Sequence, residues 1–283
     1  MSLAAEILAQ MEDLPALPAV VGRVMALSRD PEFAMGDLVE AVRLDPGITA
    51  TVLRLCNSPF YGLRQPVSSL ERALPHLGTA KLIEITLASA VASFFQGEQP
   101  GYLLSRGQLW RHSITVALIA GQLAQDRGLA EPATLHTAGL LHDVGKLVLA
   151  AHINQEFPEI GRLVLVEGKE LVEAEREVLG IDHAELGGQV ADRWNLSAPV
   201  AQVIRHHHSP AQAPGDRELV NLATLADYLA HAVSEEYRLG PEPLVPPTSL
   251  IIDLRLAPAD LRRLTHQMHG LLENAGDLLA LAG

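Results

Sequence analysis

An apolar, helix-like run from Thr137 to Leu141 ends in two titratable residues side by side, His142 and Asp143, and Val144-Gly145-Lys146 follows at once. No other stretch limits the fold as much. Adjacent side chains on one helix point about 100° apart, so His142 and Asp143 can serve one interior point only if other elements bring partners to it. Candidates recur along the chain: His112 before the pair, then His183, His207, His208 and Asp227 after it. These histidines stand at the ends of otherwise apolar stretches, where burying an unpartnered imidazole is costly. The expectation is a helical protein wrapped around a histidine–carboxylate centre.

The residue make-up agrees. Aromatics are 4% of a chain that is 48% apolar, so the core must come from Leu, Ala, Val and Ile, which favours helices over an aromatic-rich sandwich. No stretch alternates with period two, and the chain reads as all-α. Its 283 residues suffice for one large helical domain or two smaller ones. The expected division is an N-terminal helical subdomain over residues 1–100 and a helical subdomain over 101–283 carrying the centre, together one unit.

A formal charge of −13 works against binding nucleic-acid polymers, which needs a basic surface, but leaves room for a local pocket holding one phosphate. The single cysteine, Cys56, excludes an intramolecular disulfide framework and suggests a reducing compartment. No apolar run approaches the roughly 18–20 residues needed to span a bilayer. The N-terminal stretch, with Glu6, Glu12 and Asp13, lacks the basic region of a secretory signal. A cytoplasmic protein without a membrane partner is expected.

Local signals divide the chain. Leu14-Pro15-Ala16-Leu17-Pro18 ends a first short helix and Asp30-Pro31 a second. Asp37 reads as an N-cap before Leu38, and Asp45 as an N-cap with Pro46 in the first turn. Asn57 to Gly62 reads as a helix stop and loop. Gly145 reads as a kink or an end, because glycine costs about 1 kcal/mol inside a helix relative to alanine. Asp182-His183-Ala184-Glu185 reads as a capping box. Ser197-Ala198-Pro199 opens a helix running to His206-His207-His208, Asn221 to Val233 forms another that contains Asp227, and Gly240 to Pro247 is an irregular connection.

Imidazole and carboxylate suit iron, manganese, cobalt, nickel and zinc. Five histidines and two aspartates are enough for two ions, with Asp143 able to bridge them. Two ions about 3.5–4 Å apart activate a water and clamp a phosphoryl oxygen. Lys146 could reach a phosphate as a point charge. Each residue also has a plainer reading. His112 beside Trp110 could simply be packed, and His206 to His208 could be a polar helix end. Asp227 could be solvated, and His142 with Asp143 a local pair. His76, His136, His152, His231, His266 and His269 are read as surface or packing residues. Arg111 and Arg205, beside two candidate ligands, are candidate substrate contacts with surface placement as the alternative.

With these residues laid out, the chain resembles the HD superfamily and more closely its HDOD branch. In the N-terminal half the resemblance is carried by Leu14 to Pro18, Leu44-Asp45-Pro46-Gly47-Ile48, and Leu55-Cys56-Asn57-Ser58-Pro59-Phe60-Tyr61-Gly62. In the second half it is carried by Leu141 to Lys146, Gly180-Ile181-Asp182-His183, Trp194-Asn195-Leu196 and His207-His208-Ser209-Pro210. It extends to about residue 235 and implies a multi-helix HD-like bundle with a bacterial signalling or regulatory role. HDOD domains are regarded as relatives of metal-dependent phosphohydrolases that have lost some ligands. Here His112, His142, Asp143, His183, His207, His208 and Asp227 all align with ligand positions of the related HD-GYP phosphodiesterases, and Lys146 aligns with their phosphate-contacting lysine. The resemblance fails after His208. Ser209 to Gly215 replaces an acidic, glycine-rich stretch ending in Gly-Tyr-Pro, which argues against cyclic di-guanylate as substrate but not against phosphoester hydrolysis.

Two functions are therefore expected to compete. The first is a regulatory protein with a metal centre, acting through a bound ligand or signalling-protein partners. The second is a phosphohydrolase on a nucleotide or cyclic nucleotide, with Asp143 and Lys146 catalytic. In both, the resemblance implies a divalent metal, expected as two ions, with iron or manganese foremost and zinc, nickel or cobalt as alternatives.

Overall fold

The computed structural model describes residues 3–10, 17–28, 30, 32–95, 98–129, 132–215, 217–233 and 246–280. Leu14 to Ala16 and most of the Gly240 to Pro247 connection lie outside them. Among the described residues there are helices and turns, with no strand beyond one isolated bridge between Gln99 and Leu104. The order is α1 (Leu3–Gln10), α2 (Ala19–Ser28), α3 (Met35–Arg43), α4 (Pro46–Cys56), α5 (Leu70–Val91), α6 (Gln108–Asp126), α7 (Pro132–Leu141) and α8 (Val144–Leu165). It continues with α9 (Leu171–Leu179), α10 (His183–Arg193), α11 (Ala198–His206), α12 (Arg217–Val233), α13 (Thr248–Asp253), α14 (Pro258–Glu273) and α15 (Gly276–Leu279). No described helix is long and apolar enough to cross a membrane.

The helix starts follow from local chemistry. Asp45 caps α4, its Oδ1 accepting the Ile48 amide at 3.0 Å with Pro46 in the first turn. Asp182 caps α10, accepting the Glu185 amide at 2.8 Å. Asp37 differs from expectation. The α3 helix begins at Met35, three residues earlier than expected, with Ala34 at the N-cap, and Asp37 reaches back from the first turn to the Ala34 amide at 3.2 Å. The loop after α4 is pinned by Asn57, whose side chain exchanges hydrogen bonds of 2.9 and 2.7 Å with the backbone of Val67.

Helices α2 to α5 pack mainly on one another, with α5 also on α7 and α1 against α8, and α6 to α12 surround the centre. One connected apolar core runs through both groups. Helix α6 lies against α7 and α12, while α10 packs on both α8 and α11. The C-terminal α15 is tied in by Trp110, whose Nε1 donates to the Leu278 carbonyl at 3.1 Å. Gly145 does not end a helix. It sits in the first turn of α8, where an added Cβ would collide with the His183 carbonyl and lie 2.8 Å from the Gly187 amide nitrogen. Glycine is required there because two helix backbones meet, which sets the depth at which His183 enters the interior.

Candidate metal centre

The chain leaves helical geometry for two residues between α7 and α8, and these are His142 and Asp143. The turn is what lets neighbouring side chains reach one place: His142 Nε2 stands 3.4 Å from Asp143 Oδ2. Around Asp143 the structure gathers side chains from separate helices. On its Oδ2 side are Lys146 Nζ at 2.7 Å and His112 Nε2, from α6, at 3.7 Å. On its Oδ1 side are His183 Nε2, from the start of α10, at 3.4 Å and His207 Nε2, just past α11, at 3.8 Å. His208 Nε2 is 3.0 Å from His183 Nε2. Asp227, from α12, brings Oδ1 to 3.0 Å from His112 Nε2 and 3.8 Å from His142 Nε2. All seven candidate ligands thus share one region, and six of them are buried, with His208 half-buried.

The outer hydrogen bonds fix how the rings present themselves. His142 Nδ1 lies 2.7 Å from the Gly139 carbonyl and His207 Nδ1 2.8 Å from that of Ile204. A carbonyl can only accept, so both rings carry a proton on Nδ1 and turn Nε2 inward. His183 is held the same way by Glu175, whose Oε2 lies 2.7 Å from Nδ1 and also accepts the His183 amide at 2.9 Å. The other Glu175 oxygen accepts the Tyr102 hydroxyl at 2.8 Å. Thr224 donates to the His207 carbonyl at 2.7 Å, which secures the α11 end against α12.

Charge follows burial. Burial lowers His112 to about 4 despite the support of Asp227. Burial lowers His207 to about 3, with His142 and His183 adding to the effect. Burial beside His207 and His183 holds His208 well below the ordinary imidazole value. At His183 burial also acts downward, but Glu175 more than offsets it and the value rises. Burial alone would raise Asp143; His142, Lys146 and His183 outweigh it and hold the carboxyl well below its usual range. Asp227 is lowered in the same sense, burial being outweighed by His231 and His112.

This donor set fits a metal. A neutral His207 whose Nδ1 proton is committed to Ile204 aims a lone pair at Asp143 Oδ1, and neither that nitrogen nor that oxygen has a hydrogen-bond partner among the described residues. Two electron-rich buried atoms facing each other are costly unless a cation lies between them. The largely buried group His183/His207/His208 and the buried group His112/His142/Asp143 each bring their ligand atoms within 4.8 Å of one another. The centre opens on a cavity of about 460 Å³ whose wall includes His207, His208, Asp227, Asn221 and Tyr228.

Three details bear on the sequence reading. Lys146 is buried, its ammonium lies on Asp143, and it is not part of the cavity wall. Arg205 is engaged by Asp192 at 2.7 Å and Glu185 at 3.5 Å, and neither Arg205 nor Arg111 lines the cavity. His231, read as surface or packing, is buried with Asp227 at the cavity wall. Tyr102 carries no signal in the sequence, but Glu175 carries one that the sequence reading missed: on α9 it stands four residues from both Leu171 and Leu179, on the buried face, unlike Glu173 and Glu177.

Comparison with known proteins places the fold in a family. The HDOD domain profile matches residues 14–210. The chain belongs to the HDOD family. A solved HDOD domain protein of unknown function from Geobacter sulfurreducens is 29% identical, with a TM-score of 0.75 over 99% of this chain and 96% of that one. A Marinobacter aquaeolei VT8 protein, proposed to act in signal transduction, is 26% identical with a TM-score of 0.76 over 100% of this HDOD chain and 61% of its own. An uncharacterized protein of Treponema pallidum (strain Nichols) is 27% identical over 236 residues, 80% of this chain and 44% of that protein. Ribonuclease Y of Clostridium tetani (strain Massachusetts / E88) is 31% identical over 134 residues, 47% of this chain and 19% of that enzyme. The HDOD chain therefore spans less than half the length of these two curated relatives.

Proposed function

We propose that this HDOD chain is a metal-dependent phosphohydrolase for a small phosphoester, of the nucleotide or cyclic-nucleotide class. The observation that carries the reading is the inward Nε2 lone pair of His207 facing the unpartnered Oδ1 of Asp143. In this reading His183, His207 and His208 hold one ion, His112, His142 and Asp227 hold another, and Asp143 stands between them. Bound there, two divalent ions supply a water of lowered pKa and a clamp for phosphoryl oxygens.

The chain's own residues account for the rest. Glu175, Gly139 and Ile204 orient three imidazoles before any ligand arrives. Lys146 holds the Asp143 carboxylate in place and offsets its charge, in preference to reaching for substrate. The cavity wall carries Glu170, Asp227 and Asp253, and its one lysine among the described residues, Lys169, is engaged by Glu177 at 2.5 Å and Glu167 at 3.5 Å. A phosphate dianion entering such a wall needs the metal charge to be held at all. The preference for a single-phosphate ester over a polyphosphate follows from the same scarcity of cations.

A second reading, a regulatory module that keeps the metal for ligand or partner binding, is favoured by the Marinobacter relative and by the commitment of Lys146 to Asp143. The test is metal analysis of anaerobically purified protein, followed by turnover of nucleotide mono- and diesters after iron or manganese loading. Turnover that disappears in a folded Asp143→Ala variant supports hydrolysis. A folded, metal-loaded protein without turnover on any ester supports the regulatory reading, and a protein that takes up no metal overturns both.

A further inference from the structure

Asp227 Oδ1 is crowded. His112 Nε2 lies 3.0 Å from it, His231 Nε2 3.5 Å and His142 Nε2 3.8 Å. One carboxylate oxygen has two lone pairs, so it cannot satisfy three imidazole nitrogens by hydrogen bonding. Among the described residues it makes no well-aligned hydrogen bond. Asp227 and His231 stand four residues apart on α12, which places both on one helix face. The His231 ring stacks on that of His112 with centroids 4.7 Å apart, and both rings are buried. The ligand atoms of His112, Asp227 and His231 all lie within 4.8 Å of one another. His231 and Asp227 line the cavity, whereas His112 and His142 do not.

We propose that His231 is a metal ligand, approaching the Asp227 end of the centre from the cavity side. The proposal rests on the reading that the centre holds metal. His142 and His207 place Nδ1 on backbone carbonyls and turn Nε2 toward the centre. His231 likewise turns Nε2 toward an oxygen that two other imidazoles already approach, which is the arrangement of donors around a shared cation. Two consequences follow. The Asp227 end becomes richer in nitrogen, which favours borderline transition metals over magnesium or calcium. One coordination position facing the cavity is filled by protein, so the two ends of the centre present different numbers of open positions to a ligand.

The test uses the full chain, stripped of metal and titrated with Co²⁺, comparing wild type with His231→Ala and with His231→Gln, which keeps a side chain of similar reach. Affinity comes from competition with a chelator, stoichiometry from elemental analysis, and donor set from the cobalt absorption spectrum. The metal-free forms are matched by circular dichroism. Both variants are expected to lose at least about tenfold in affinity for one equivalent of cobalt, the lower end of what losing even an outer-sphere partner costs. Their spectra should shift toward fewer nitrogen donors. Variants that bind the same amount of cobalt, equally tightly and with an unchanged spectrum, overturn the assignment of His231 and leave the centre standing. A wild-type chain that binds no cobalt overturns the centre itself and this assignment with it.

Discussion

Glu175 decides which way His183 can act. Its carboxylate takes the Nδ1 proton and the backbone amide of His183 and also the Tyr102 hydroxyl, all in the interior. Glu175→Gln keeps the volume but removes the charge that raises His183 and steadies its ring. Metal affinity is expected to fall about 10–100-fold, the usual cost of losing an outer-sphere carboxylate, as measured by chelator competition. Glu175→Ala additionally leaves the Tyr102 hydroxyl without this acceptor and should cost about 1–3 kcal/mol in unfolding free energy. His136 carries a different kind of signal, away from the centre. It is buried against Gly121, and burial lowers its pKa. The unfolded chain therefore binds the extra proton more readily, so this contribution is fully present above about pH 6.5 and is lost as pH falls toward the lowered folded value. Replacing His136 with Met should flatten the acid side of the stability profile measured by denaturant unfolding. An unchanged slope would remove His136 as its source.

At the scale of helices, the contact between α8 and α10 is the one most exposed to single changes. Gly145→Ala would ordinarily add helix propensity of about 1 kcal/mol. Here the new Cβ meets backbone rather than a movable side chain, and the expected result is a loss of about 1–3 kcal/mol from overpacking. Gly270, exposed on α14 with open space where a methyl would go, is the control: Gly270→Ala should stabilise by about 0.5–1 kcal/mol. Opposite signs in urea unfolding would support the close approach, and equal signs would refute it. The same contrast shows what the sequence can carry. The caps at Asp45 and Asp182 are local, and so were legible from residue type and spacing. The break holding His142 and Asp143 was visible as a glycine close to two polar residues, but the role of that glycine was not, because it depends on where α10 lies. His231 left a trace in its four-residue spacing from Asp227. Glu175 left one too, standing four residues from Leu171 and from Leu179 on the apolar face of α9, but which partner it meets there depends on where α10 lies.

For the whole molecule, the centre joins helices α6, α7, α8, α10, α11 and α12 around charged and lone-pair-bearing groups that burial alone disfavours, so bound metal should act as a structural brace. At free ion about 100 times its dissociation constant, one site contributes about 2.7 kcal/mol, or roughly 5–10 °C in Tm for a chain of this order of size. Chelation should lower Tm by that amount in a calorimetric scan. The pH dependence of the difference is a sharper check. Ligation needs neutral imidazoles. His112, at about 4, and His207, at about 3, are neutral through mildly acidic conditions. His183 is raised by Glu175 and is the first of these three to take a proton as pH falls. In the metal-free protein, protonated His183 gains from Glu175, a contribution present below its unfolded value of about 6.5 and lost as pH rises through the raised folded value. In the loaded protein the ion must compete with that proton. The gap in Tm between loaded and metal-free protein should therefore begin to close above about pH 6.5 on the way down, and close later in Glu175→Gln. A gap that stays constant down to about pH 5 in the wild type, well below the ordinary imidazole value, would mean that His183 contributes nothing to holding the ion.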